Sequence, residues 1–126
     1  MTVQIGLSPE KIARYRATAL KRQAQEAAEV SQRRQKAWQI ARQAADLLRE
    51  EFNVTRIVVF GSLVRNNGFT RWSDIDIAAW GLAPEDTFRA IGAVMDLQTD
   101  IPVNLVDVNT ARPSLMAAIE QDGVLV

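Results

Sequence analysis

Between residues 8 and 52, apolar positions recur at intervals of three and four; beyond that they gather in short runs. Ala37/Trp38, Ala41, Ala44/Ala45, Leu48 and Phe52 form one stripe at helical spacing. Ile12, Tyr15 and Ala19/Leu20 form a second, shorter stripe, and residues 21–36 between them are mostly Ala, Gln and charged side chains. Ser8 suits an N-cap, Pro9 the first helical position, and Glu10 the positive end of the helix dipole. Helix is therefore predicted over 8–52. An unbroken rod of that length would reach about 65 Å at 1.5 Å per residue, more than a small domain needs, so a break or bend near Ser31 is expected. The longer stripe should pack on a sheet. The shorter one must fold back, pack against residues 112–126, or meet another chain.

The remainder alternates between short strand-like and helix-like segments. Residues 55–60, 74–80 and 103–108 read as strands, 84–97 and 113–121 as helices, and 124–126 as a short final strand. The order α-β-β-α-β-α predicts an α+β fold: a small mixed β-sheet with helices packed on one face, preceded by a long N-terminal helical extension. Residues 1–36 are assigned to the extension and 37–126 to the domain.

Composition narrows the chemistry. The 126 residues are 48% hydrophobic, enough for one core, and contain neither cysteine nor histidine. Disulfides, thiolate metal sites, the usual zinc sites and histidine general bases are thereby excluded, so carboxylates must carry any metal or proton chemistry. No apolar stretch is long enough to span a bilayer, and a cytoplasmic protein with no membrane association is expected. The net charge is zero but uneven: residues 1–50 carry +5 and the rest −5. The basic arm reads either as a surface for an acidic partner or as a solvated helix that offsets its own acidic domain.

Within the short runs, Val58-Val59-Phe60 ends in Gly61-Ser62, and a loop of eleven residues leads to Asp74-Ile75-Asp76. Residues i and i+2 of a strand share a face, so the two carboxylates point the same way. Such a pair repels unless a cation lies between. Gly-Ser at a strand end offers backbone N–H groups and a hydroxyl to phosphate oxygens. A hard divalent metal beside a phosphate cradle points to nucleotide chemistry.

Gly61-Ser62 at the end of one strand, with Ser73-Asp74-Ile75-Asp76 opening the next and helices before and after, resembles the minimal nucleotidyltransferases of the polymerase β-like superfamily, over residues 37–126. The resemblance implies that Gly61, Ser62, Arg65 and Ser73 bind a nucleoside triphosphate, ATP, and that Asp74 and Asp76 hold Mg2+. Arg65 alternatively serves a surface salt bridge. Trp72 reads either as a base-stacking ring or as a core or hinge position. The chain departs from the family at Leu63, where many members have a basic residue, at Asn66, where many have Gly, and at Asn104, in the place of a third carboxylate. Asn104 completes the catalytic set but cannot accept a proton as a carboxylate does. Asp107, three residues on, falls on the opposite strand face.

Stand-alone members of this family are often paired with a HEPN protein. The resemblance thus implies an Mg2+-dependent antitoxin that transfers AMP from ATP to a tyrosine of a HEPN-type RNase toxin and binds it in a hetero-oligomer. The alternative is a catalytically weak or inactive nucleotidyltransferase-fold antitoxin that neutralises its toxin by complex formation. A small-molecule transferase would need more substrate-binding structure. Direct nucleic-acid binding is not expected, since no recognition motif accompanies the basic arm.

Overall fold

The computed structural model of the chain describes residue 6 and residues 8–65, 68–97 and 100–126. It opens with α1 (Pro9–Phe52), capped by Ser8, whose side-chain oxygen accepts the Lys11 N–H at 3.2 Å. The helix stops at Asn53, in the left-handed region at φ 54°, which Asn tolerates better than most residues. The bend expected near Ser31 does not occur: α1 is one helix of 44 residues, about 66 Å long at 1.5 Å per residue. Two causes oppose a break. No Gly or Pro interrupts the Ala-, Gln- and Arg-rich middle. Val30 also packs on the domain's core, and Arg33 and Lys36 bond to it, so tertiary contacts begin at the predicted break.

The sheet follows: β1 (Arg56–Phe60), β2 (Ile75–Trp80), β3 (Val103–Asp107) and β4 (Val124–Leu125), in spatial order β3-β2-β1-β4. β1 is antiparallel to both β2 and β4, whereas β2 and β3 are parallel, joined through α2 (Thr87–Met95). The expected mixed sheet is present, and its elements begin and end within about three residues of the sequence reading.

Strand alternation divides the molecule into two layers. On one face Ile57, Val59, Ile75, Ile77, Val103 and Leu105 meet Ala37, Ile40, Ala41, Ala44 and Leu48 of α1 and Ala90 and Val94 of α2. The alanines let the helix backbone approach the sheet closely, since interaxial distance follows side-chain size at the contact. α3 (Pro113–Asp122) departs from this one-sided layer and lies on the other face, where Ile119 packs with Val58, Phe60 and Ala78. That second cluster is small, and Asn104, on the same side, stays exposed. Gly123 closes α3 where an added Cβ would strike Val58 Cγ1 at 2.2 Å.

Residues 9–29 of α1 are exposed throughout. Because the helix is continuous, Ile12, Tyr15 and Ala19 precede Ala37, Ile40 and Ala44 by about seven turns and lie on the same helical face. The arm therefore carries the core-facing side of α1 beyond the domain. Among the described residues, no helix is long and apolar enough to cross a membrane.

Leu48 is fully buried and Leu20 is 66% exposed. Leu48→Ala should cost about 2–5 kcal/mol in urea unfolding, and Leu20→Ala should stay within about 0.5 kcal/mol. Equal losses would show that the arm is packed in the isolated protein.

Candidate nucleotide and metal site

The candidate residues converge where β1 ends beside the start of β2. Phe60 pairs with Asp76, and the chain turns at once into a 3-10 turn, Gly61–Val64. Gly61 takes φ +77°, and a Cβ there would lie 2.5 Å from Asp76 Oδ2, so only glycine allows this backbone to approach the carboxylate. Leu63 is fully buried, which gives a physical reason for an apolar residue at this position. Asn66 lies outside the described residues. Arg65 is exposed and turns its Nε toward the Gly61 carbonyl at 3.4 Å. Among the described residues the ion pairs are Lys36–Asp100 and Arg89–Asp86, so the salt-bridge alternative for Arg65 is not realised there.

On β2, Asp76 is half-buried and opposes Asn104 across the parallel ladder, and Asn104 Nδ2 donates to Asp76 Oδ1 at 3.2 Å. Asp74 lies two residues earlier, also half-buried, just before the strand begins. Ser73 serves the loop: its Oγ accepts the Thr70 N–H at 2.9 Å and pairs with Thr70 Oγ1 at 3.2 Å. Its carbonyl accepts from Arg33 Nη2 at 3.0 Å.

Two residues fall elsewhere. Trp72 is 80% exposed, which corrects the core reading; the Arg71 guanidinium carbon lies 5.2 Å from its ring centroid. Asp107 is 5% exposed on the α1–α2 side, opposite Ala79, as parity required. It accepts from Thr87 Oγ1 at 2.9 Å and from the Asn109 N–H at 3.0 Å. The β2–β3 register runs without a bulge from Val103 to Asp107, so Asp107 does not come round to the site. Among the described residues, no cluster of three acidic side chains could hold a metal. Sequence reasoning missed Arg33, which sits 40 residues from its partner Ser73 and has no local signature.

Asp76 is held above its ordinary value of 3.8, chiefly because burial penalises the charged form; the Asn104 amide opposes this, Asp74's charge reinforces it, and Arg65's charge opposes it. The pair carries a repulsion that a cation would relieve. The two carboxylates form an all-oxygen pair suited to a hard divalent ion, with phosphate and water oxygens filling its other positions. The residues fit such an ion.

The arrangement sets a glycine turn against one of two neighbouring carboxylates at the start of β2. A family model described as polymerase beta, nucleotidyltransferase, matches residues 42–126. The chain belongs to that family. Among solved structures, it is similar to a crystal structure of the toxin-antitoxin MntA-HpeT carrying two Asp-to-Glu substitutions, at 23% identity and a TM-score of 0.54, over 68% of this chain and 70% of that one. It is also similar to a Tyr-to-Ala mutant of MntA-HpeT, at 26% identity and a TM-score of 0.55, over 68% and 69%. No curated protein matches it.

Gly61→Ala should destabilise the fold by about 1–2 kcal/mol, the cost of a left-handed non-glycine residue, and push Asp76 aside; urea unfolding and divalent-ion titration would check both. Asp76→Asn should raise the melting temperature of the protein in EDTA at pH 7. With its folded-state pKa raised, ionised Asp76 opposes folding there, and that cost fades as pH falls through the raised value. The two proteins should therefore converge once pH drops below 3.8, where Asp76 is protonated folded or unfolded. A variant less stable than the parent at pH 7 would contradict this account.

Proposed function

We propose that this chain is the antitoxin of a toxin–antitoxin pair and acts as an Mg2+-dependent nucleotidyltransferase that moves AMP from ATP to a tyrosine of a HEPN-type RNase toxin. The observation that carries this reading is the neighbouring pair of carboxylates, Asp74 and Asp76, with Gly61 packed against Asp76, in a chain that is similar to two solved toxin–antitoxin structures. The aspartates substituted in one neighbour are two positions apart, the spacing of Asp74 and Asp76. The exposed arm, with Ile12, Tyr15 and Leu20 facing solvent, is a surface on which a helical partner can pack.

In this reading Gly61 and Ser62 hold the triphosphate by backbone and hydroxyl, and Arg65 offsets phosphate charge. Asp74 and Asp76 would hold Mg2+, which when bound neutralises charge on the phosphates. The tyrosine oxygen bonds to the α-phosphorus as the bond to the bridging oxygen of the β-phosphate breaks. Pyrophosphate leaves, and the tyrosine proton passes to solvent because Asn104 cannot take it. Positioning and electrostatics carry most of such a transfer.

A second reading is favoured by the Asn104–Asp76 hydrogen bond, which puts an amide donor where the family has a third carboxylate. Under it, the chain neutralises its toxin by binding alone. Intact masses of both chains, after mixing with the toxin, ATP and Mg2+, separate the two. The first reading expects AMP on the toxin, lost in Asp74→Ala/Asp76→Ala, and a faster transfer in Asn104→Asp by about 100-fold, the low end of general-base catalysis. An unmodified toxin in a stable complex would establish the second.

A further inference from the structure

We propose that Arg33 of α1 is a positioning residue for Asp74. The proposal rests on the metal reading of Asp74 and Asp76 given above.

The two aspartates are not held alike. Asp76 lies within β2, with Phe60 opposite on one side and Asn104 on the other, so two ladders fix its backbone. Asp74 precedes the first ladder residue, Ile75, and belongs to neither. What holds the chain immediately before it is Ser73. The Ser73 N–H bonds to the Thr70 carbonyl at 3.1 Å, its Oγ accepts from Thr70, and its carbonyl accepts from Arg33 Nη2 at 3.0 Å. The Thr70 contacts are local to the loop. Arg33 is the long-range one, reaching across 40 positions from the rigid helix.

The same guanidinium reaches toward the start of β3, where Nη1 donates to the Asp100 carbonyl at 3.5 Å. Lys36, one turn on, bonds the Asp100 carboxylate. Between these loops the Ile75 N–H bonds to the Pro102 carbonyl at 2.9 Å. A planar fork therefore spans the approaches to the two strands that carry Asp74, Asp76 and Asn104. Arg33 Nε is buried without a hydrogen-bond partner, so this orientation is kept although the nitrogen loses water. Lysine could hold one carbonyl but not this pair at fixed geometry.

The test compares the full-length protein with Arg33→Ala, Arg33→Lys and Lys36→Ala, reading Mn2+ affinity by electron paramagnetic resonance below every melting temperature. A charge effect and a positioning effect have opposite signs here. Removing a cation near a metal site strengthens metal binding, whereas loosening a ligand weakens it. Arg33→Ala is expected to weaken Mn2+ binding about 10-fold or more, as loss of a group orienting a metal ligand does. Arg33→Lys should recover part of this, and Lys36→Ala should stay within about two-fold of the parent. In the metal-free protein, Arg33→Ala should also speed amide exchange at Asp74 and Ile75 but not at Val59, which separates local loosening from global destabilisation. Unchanged or tighter Mn2+ binding in Arg33→Ala would overturn the proposal alone. No Mn2+ binding by the unsubstituted protein would overturn the metal reading itself, and the proposal with it.

Discussion

One strand, β2, sets both the core and the site through its alternation. Ile75, Ile77 and Ala79 face α1 and α2, while Asp76 and Ala78 face the other way. A slip of one residue against β1 or β3 would drive a carboxylate into the apolar layer and expose the isoleucines. Burial therefore enforces the register that aims the site. β2 has a strand on each side, so both of its edges are hydrogen-bonded over Asp76. Gly61 depends on that register as well, because its backbone is placed against Asp76 by the Phe60–Asp76 pairing.

The site's electrostatics follow from the same geometry. A third carboxylate at the position of Asn104 would add a second like charge beside Asp76, in a place where burial already disfavours ionisation. The amide instead donates to Asp76 Oδ1 and favours its charged form. Asparagine thus eases the metal-free fold at the cost of a proton acceptor.

Much of this was legible in the sequence because it is written locally. The period-2 and period-3.6 patterns placed the strands and helices, Ser8-Pro9 located the start of α1, and parity alone put Asp107 on the face opposite Asn104, where it accepts the Asn109 N–H. The misread features come from tertiary contacts or from length. The expected bend at Ser31 was argued from how long a helix a small domain needs, but composition favoured continuity and Val30, Arg33 and Lys36 anchor the helix on either side of it. Trp72 admitted a core, hinge or base-stacking role from sequence, yet it sits on a turn that leaves its ring in water, which removes the core alternative. Arg33 was one more cation in a basic run; only the fold shows that it, rather than its neighbours, meets the Ser73 carbonyl.

The continuity of α1 changes what its exposed half can do. A jointed extension would let the arm move without consequence for the domain. An unbroken helix without Gly or Pro offers no hinge for a sharp kink between the arm and the segment around Arg33. The alanine-lined stretch from Ala37 to Leu48 is the fulcrum, packed closely against the sheet. Residues 9–29 extend beyond it on one side, and Arg33 lies between arm and fulcrum, bonded to the turn that precedes Asp74. A partner that grips the arm's exposed Tyr15 and Leu20 therefore acts on the same rigid body that carries the guanidinium. The ladders hold Asp76 directly and leave Asp74 to the turn that Ser73 closes.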